Sequence, residues 1–253
     1  MLWIGGSLGR IEQLSIASWL AAGYHVRLHT YGDVRGVPTA VEMSDANAVA
    51  PAAEIENLRH RKTRSYALAS DYFRYRLQAQ GQGLWSDLDI VCLKPLNLPN
   101  RVIFGLESWD FINGAVLSLD PSLAMTAELA GLFDRSFVPP WLPRKRKVQW
   151  ALRRAVGQKP TPARLPWGTF GPRAITAMAR KHDLFWEAQP TFVFYPLHAR
   201  EAHYMYDPRF SLESRINERT LTVHLWNEAL RGLKSEAPPK GSALDVLNKR
   251  FGI

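Results

Sequence analysis

The chain has 253 residues, 46% of them hydrophobic and 22% charged, with a formal net charge of +9. That balance describes an ordinary globular protein with enough chain for a sizeable core, and it excludes a disordered one. No apolar run approaches the ~20 residues of a membrane-spanning helix, and Cys92, the single cysteine, has no partner for an intramolecular disulfide.

Leu2-Trp3-Ile4 reads as a short apolar strand ending on Gly5-Gly6, which permit a tight turn. Residues Arg10 to Ala22 carry Ile11, Leu14, Ile16, Trp19 and Leu20 at helical spacing, with Gly23 as the C-terminal stop. Val26 to Tyr31 alternates and predicts a second strand, and Thr63 to Ala79 predicts a helix ending before Gly81-Gln82-Gly83. Further strands are expected in the run Gly83 to Leu93, at Val102 to Gly105 and at Ala115 to Leu119. Strands alternating with helices predict an α/β fold, parallel at least in its first half. From about residue 134 prolines punctuate a region rich in Trp and Arg, and an irregular lid or acceptor-facing insertion is expected there. Thr191 to Tyr195 and Leu221 to Trp226 read as late strands, and Pro238 to Ile253 as a polar linker with a short helix.

The chemistry concentrates in Gly83-Leu84-Trp85-Ser86-Asp87-Leu88-Asp89. In an extended segment Asp87 and Asp89 point to the same side, where two carboxylates repel unless a positive group sits between them. A hard divalent cation that also holds phosphate oxygens fits that need. A solvated acidic turn is the plainer alternative. Just upstream, Asp71 and Arg74 lie three apart in Ser70-Asp71-Tyr72-Phe73-Arg74-Tyr75, neighbours on one helix face. Two basic clusters stand out: Arg59-His60-Arg61-Lys62 with Arg64, and Arg144-Lys145-Arg146-Lys147 with Arg153-Arg154. The second is flanked by Trp141 and Trp150, a composition that attracts an anionic membrane surface or nucleic acid, while a solubilising face is the plainer reading. No zinc-finger, RRM or KH pattern is present, so no nucleic-acid partner is expected.

Taken together, Ser70-Asp71-Tyr72-Phe73-Arg74-Tyr75, Gly81-Gln82-Gly83-Leu84-Trp85-Ser86-Asp87-Leu88-Asp89 and Lys94-Pro95-Leu96 resemble the sugar-binding region of glycosyltransferases with a DxD motif. That family includes bacterial capsular and lipopolysaccharide transferases, α-1,6-mannosyltransferases and α-1,4-galactosyltransferases, and is related to clostridial glucosylating toxins. Trp3-Ile4-Gly5-Gly6, Phe111 to Leu117, Thr169-Phe170-Gly171-Pro172 and Val223-His224-Leu225-Trp226-Asn227 also resemble family segments. Gln82, Trp85 and Ser86 depart from the usual pattern.

The resemblance implies a GT-A-like fold, a mixed central sheet flanked by helices, and retaining transfer of a sugar from a nucleotide-sugar, with a UDP-sugar favoured. It implies Asp87 and Asp89 as the catalytic pair, with Mn2+ or Mg2+ held directly by Asp89, Asp87 contacting the ribose or sugar and approaching the metal, and His224 as a further contact to metal or diphosphate. Trp3 is expected to stack on the base, Asp71 and Arg74 to hold donor-sugar hydroxyls, Asn113 to line the cleft and Trp226 to close over the leaving group. The acceptor would be a glycan or a lipid-linked sugar.

Two other classes fit parts of the pattern. Asp87-Leu88-Asp89-Ile90-Val91 also matches the opening of haloacid-dehalogenase-type phosphatases, although no later acidic pair accompanies it. A basic membrane-surface binding protein without chemistry would leave both carboxylate sets unexplained. The expected organisation is one catalytic domain over 1–230, its donor half about 1–120 and its acceptor-side half about 121–230 with the basic insertion at 134–172. Residues 231–253 form a linker and short helix. The opening Met1-Leu2-Trp3-Ile4-Gly5-Gly6 lacks the form of a secretory leader, and with one thiol this leads to an expectation of the cytoplasm, with peripheral contact at the inner membrane face through 139–154.

Overall fold

The computed structural model describes residues 1–60, 64–99, 101–133, 139–158, 162–166 and 168–253. Arg61, Lys62, the expected helix start at Thr63 and parts of the 134–172 insertion lie outside these residues. Strand β1 (Leu2–Trp3) runs parallel to β2 (Arg27–Thr30), which runs parallel to β3 (Glu42–Asp45). Parallel neighbours need a crossover, and helix α1 (Arg10–Ala21) supplies it, ending where Gly23 takes φ +85°. The polar β3 and the short α2 (Ala52–Asn57) lack the apolar periodicity that marks an element in sequence. Helix α3 (Ala67–Ala79) begins later than expected, because Arg64 adopts a left-handed φ of 59°.

The run Gly83 to Leu93 is not one strand. It is β4 (Trp85–Ser86) and β5 (Ile90–Cys92), separated by a turn at Asp87–Asp89 in which the Ile90 N–H donates to the Asp87 carbonyl at 3.3 Å. The two halves serve different sheets. Strand β4 pairs antiparallel with β7 (Phe111–Leu119), itself hairpin-paired with β6 (Val102–Ser108), whereas β5 pairs antiparallel with β8 (Thr222–His224). The α/β class and the parallel first half are therefore as expected. The alternation argument for Asp87 and Asp89 is corrected, since a turn between two sheets, and not one extended strand, carries them.

Two further readings are overturned. The basic segment is regular: α5 (Arg144–Ala155) has Pro143 at its N-cap, so its prolines flank the helix without interrupting it. Thr191 to Tyr195, strand-like in composition, is the short helix α7 (Thr191–Phe194) capped by Pro190. Its Val193 and Phe194 carbonyls accept hydrogen bonds from Leu221 N–H and Thr222 Oγ1 beside β8.

Among the described residues, three apolar cores tie these elements together. The largest joins α3, the β6–β7 hairpin, α4 (Ala124–Gly131) and α6 (Pro172–Lys181) through Phe73, Tyr75, Phe104, Leu117, Met125 and Ile175. A second gathers Ile16, Trp19, Leu28, Ile90 and Phe194 between the parallel sheet and β5. In the third, Ile11 and Leu14 of α1 meet Val91, Val223 and the C-terminal helix α8 (Ala243–Phe251). Cys92 is buried, and burial pushes its thiol up to about 12, as suits an inert core residue. No helix among the described residues is long and apolar enough to cross a membrane.

Candidate active site

A cavity of about 590 Å³ opens between α3, the β6–β7 hairpin, the segment leading into α6 and the chain after β8. Its walls include Asp71, Arg74, Asp87, Asp89, Asn113, His224 and Trp226. Seven of the eight residues singled out from sequence therefore meet in one place. Trp3 does not line the cavity: it stands at the end of β1 packed on the second core, with its Nε1 buried and unpartnered beside Gly5.

Arg74 organises one end. It is buried, and its guanidinium lies 3.5 Å from Asp71 Oδ1 and 3.2 Å from Asp87 Oδ1, while donating to the Gly114 carbonyl at 2.6 Å. The two helix neighbours Asp71 and Arg74 are thus buried and form a triad with the half-buried Asp87. The Arg74 guanidinium also sits over the Trp85 ring at 5.2 Å, and Trp85 Nε1 donates to Asp87 Oδ1 at 2.7 Å. Burial raises the Asp71 carboxyl to about 7, although Arg74 opposes the shift. Burial likewise raises Asp87, with Arg74 opposing and the charge of Asp89 adding to the rise.

Asp71 also touches the opposite wall. Its carboxylate packs against Gly171, the N-cap of α6, where an added Cβ would lie 2.8 Å from Oδ2. One turn along α3, the Tyr75 hydroxyl donates to the Phe170 carbonyl at 2.6 Å. Helix α3 therefore holds both the polar triad and the roof of the cavity.

Asp89 and His224 form the other end, and strand pairing puts them there. Ile90 is the register partner of His224, and the Leu225 N–H donates to the Asp89 carbonyl at 2.8 Å. His224 Nε2 lies 3.2 Å from Asp89 Oδ2, which also accepts the Asn227 N–H at 2.8 Å. Burial works against the charged carboxylate, yet His224 and the Asn227 N–H outweigh it and hold Asp89 below its ordinary value. The His224 ring stacks on Trp226 with centroids 3.8 Å apart. Trp226 itself adopts φ 55°, a left-handed conformation rare for an aromatic residue, held by its Nε1 bond to the Leu197 carbonyl at 2.9 Å.

The Asp89 carboxylate at this end lines the cavity and is the oxygen donor type a hard divalent cation takes. His224 Nδ1 and Asn227 Oδ1 are buried without hydrogen-bond partners, and Nδ1 lies on the side of the ring away from Asp89. The Asn227 amide is oriented by Nδ2 donating to Glu12 at 3.0 Å. Among the described residues no group of three or more His, Cys, Asp and Glu is placed to hold a metal ion. A cation here would rest on Asp89 with substrate phosphates and water in the other positions, a manner in which Mg2+ is commonly held.

Glu107 and Arg173 of the cavity escaped the sequence reading, and Asn227 stood in a quoted segment without a role. Glu107 accepts from Asn113 Nδ2 at 2.8 Å, Arg173 opens α6, and Asn227 follows the His224-Leu225-Trp226 segment. Glu107 and Arg173 carry no motif, and only the fold brings them in. Asn227 had a signal in its position directly after that segment.

No family model matches the chain, and no curated protein sequence matches it. Among solved structures it is similar to one described as PaToxG glycosyltransferase, at 11% sequence identity and a TM-score of 0.40. The likeness covers 72% of this chain and 66% of that one, just under two thirds of its length.

Proposed function

We propose that the chain is a metal-dependent, retaining glycosyltransferase that moves a sugar from a nucleotide-sugar, a UDP-sugar being favoured, to a glycan or lipid-linked acceptor. One observation carries the reading: a single cavity has an Asp71–Arg74–Asp87 triad, its Arg74 and Asp71 buried, at one end and the Asp89–His224 pair at the other. The first set offers a fixed donor and acceptors for sugar hydroxyls. The second offers the ligands for a cation carrying a diphosphate.

The chemistry asked of such a site is charge placement. The bond from the anomeric carbon to the diphosphate oxygen breaks, the acceptor hydroxyl oxygen takes its place, and that hydroxyl's proton is released. Mn2+ or Mg2+, when bound, supplies Lewis-acid stabilisation of the departing diphosphate. Arg74, locked by two carboxylates and the Gly114 carbonyl, fixes Asp87 where a hydroxyl can be oriented. Asp71, with its carboxyl near 7, can donate to or accept from a sugar hydroxyl at neutral pH. Trp226, stacked on His224, shields the diphosphate end from water.

A thermal-shift panel of UDP-, GDP- and other nucleotide-sugars, with and without Mn2+, tests the proposal. Ligands that bind only the folded protein raise its apparent stability by mass action. A Mn2+-dependent rise with one donor, lost in Asp89→Ala, is expected. No rise with any nucleotide-sugar contradicts the reading.

A further inference from the structure

Helix α5 presents an apolar stripe to solvent. Val148 is 58% exposed, Leu152 63%, and Val156 at the C-cap 72%. Spaced by four, the three share one face of the helix, and nothing in the described chain covers them. The opposite face is anchored: Trp150 is buried in the main core, as is Leu142 just before the helix. The stripe is therefore held outward by a rigid attachment.

The residues around the stripe are cationic. Arg144 and Lys145 lie within or beside it in the first turn, and Lys147 and Arg153 fall on its two flanks. No acidic residue occurs between Asp134 and Asp183 to offset them. A nucleic acid would need the positive charges and would gain little from exposed Val and Leu. A solubilising face would need the charges and would not carry the stripe. Both features serve a helix lying in the headgroup layer of a bilayer, with its aliphatic side chains among the acyl chains and its cations on lipid phosphates.

We propose that α5 docks the protein on an anionic lipid bilayer, with Val148, Leu152 and Val156 inserted. The stripe is coupled to the cavity. Trp141, just before α5, donates from Nε1 to the Thr169 carbonyl at 2.7 Å, and Thr169 and Phe170 line the cavity roof. Docking thus fixes the roof segment relative to the membrane. The inference stands apart from the transferase reading, because vesicle binding does not depend on donor chemistry.

Flotation of the full chain with phosphatidylcholine vesicles, with and without phosphatidylglycerol, tests it. Binding to the anionic vesicles at low salt is expected, weakening as salt rises. The triple substitution Val148→Ser, Leu152→Ser, Val156→Ser keeps every charge and should lower the partition coefficient by about tenfold or more, with an unchanged melting temperature. No binding to anionic vesicles at low salt overturns the proposal. So does a triple variant that binds as well as the parent.

Discussion

His224 Nε2 and Asp89 Oδ2 lie 3.2 Å apart although 135 residues separate them in the chain. The antiparallel pairing of β5 with β8 creates the contact, because Ile90 opposite His224 leaves Asp89 and the imidazole side by side at the strand ends. The contact closes the cavity at the end where a diphosphate is proposed to sit.

Asp89→Asn keeps an acceptor for the Asn227 N–H but removes the charge. The variant should fold, at a cost of about 1 kcal/mol from the weakened His224 contact. Because the native carboxyl is held below its ordinary value, that contribution is present above the ordinary range and disappears as pH falls through the lowered value. Chemical denaturation at pH 7 and at pH 3 measures both, and a larger deficit at the lower pH would contradict the assignment.

Arg74 faces the buried Asp71 carboxylate and the half-buried Asp87 carboxylate at once. Arg74→Met should cost about 2 kcal/mol or more at pH 8, because it leaves Asp71 buried and Asp87 half-buried without their counter-charge. The loss should shrink toward pH 5 as the carboxylates take up protons instead. Urea unfolding at the two pH values distinguishes this from a simple packing defect, which would be pH-independent.

The Asp71 carboxyl, raised from 3.8 to about 7, binds its proton more tightly in the folded than in the unfolded chain. Stability therefore falls as pH rises from about 4 to about 7, by on the order of 3 kcal/mol from this group alone. In Asp71→Asn that slope is removed. The variant should gain on the parent progressively between pH 4 and pH 8, and parallel stability curves for the two proteins would rule the shift out.

Gly171 is small because Asp71 is there. A Cβ at this position would lie 2.8 and 2.9 Å from the two carboxylate oxygens, so Gly171→Ala should destabilise by about 1–3 kcal/mol. In an Asp71→Ala background the same change should cost at least about 1 kcal/mol less, because the clash is gone. Strict additivity in this cycle would mean that the two walls are not in contact.

How much of this was legible in sequence depends on the range of the contact. The Asp71 and Arg74 pair follows from helical spacing, and Gly23 and the alternation of Val26 to Tyr31 mark their own elements. Burial of the pair does not follow, because it comes from β7 and α6 closing over α3. The turn at Asp87–Asp89 was hidden by the apolar residues on both sides, which would suit one strand and instead serve two sheets. Thr191 to Tyr195 reads as a strand because β-branched and aromatic residues fit a pleated surface, whereas Pro190 starts a helix there. His224 and Trp226 were visible only through the family resemblance. Glu107 carried no signal, since its relevance lies in one hydrogen bond to Asn113 across the hairpin.

Release of nucleoside diphosphate from a panel of nucleotide-sugars, measured with Mn2+ on the wild-type chain and on Asp89→Asn, tests the central claim most directly. One donor should support turnover that depends on the added metal, and Asp89→Asn should lower it at least about hundredfold. Absence of release from every donor, or turnover untouched by the substitution, would contradict the account.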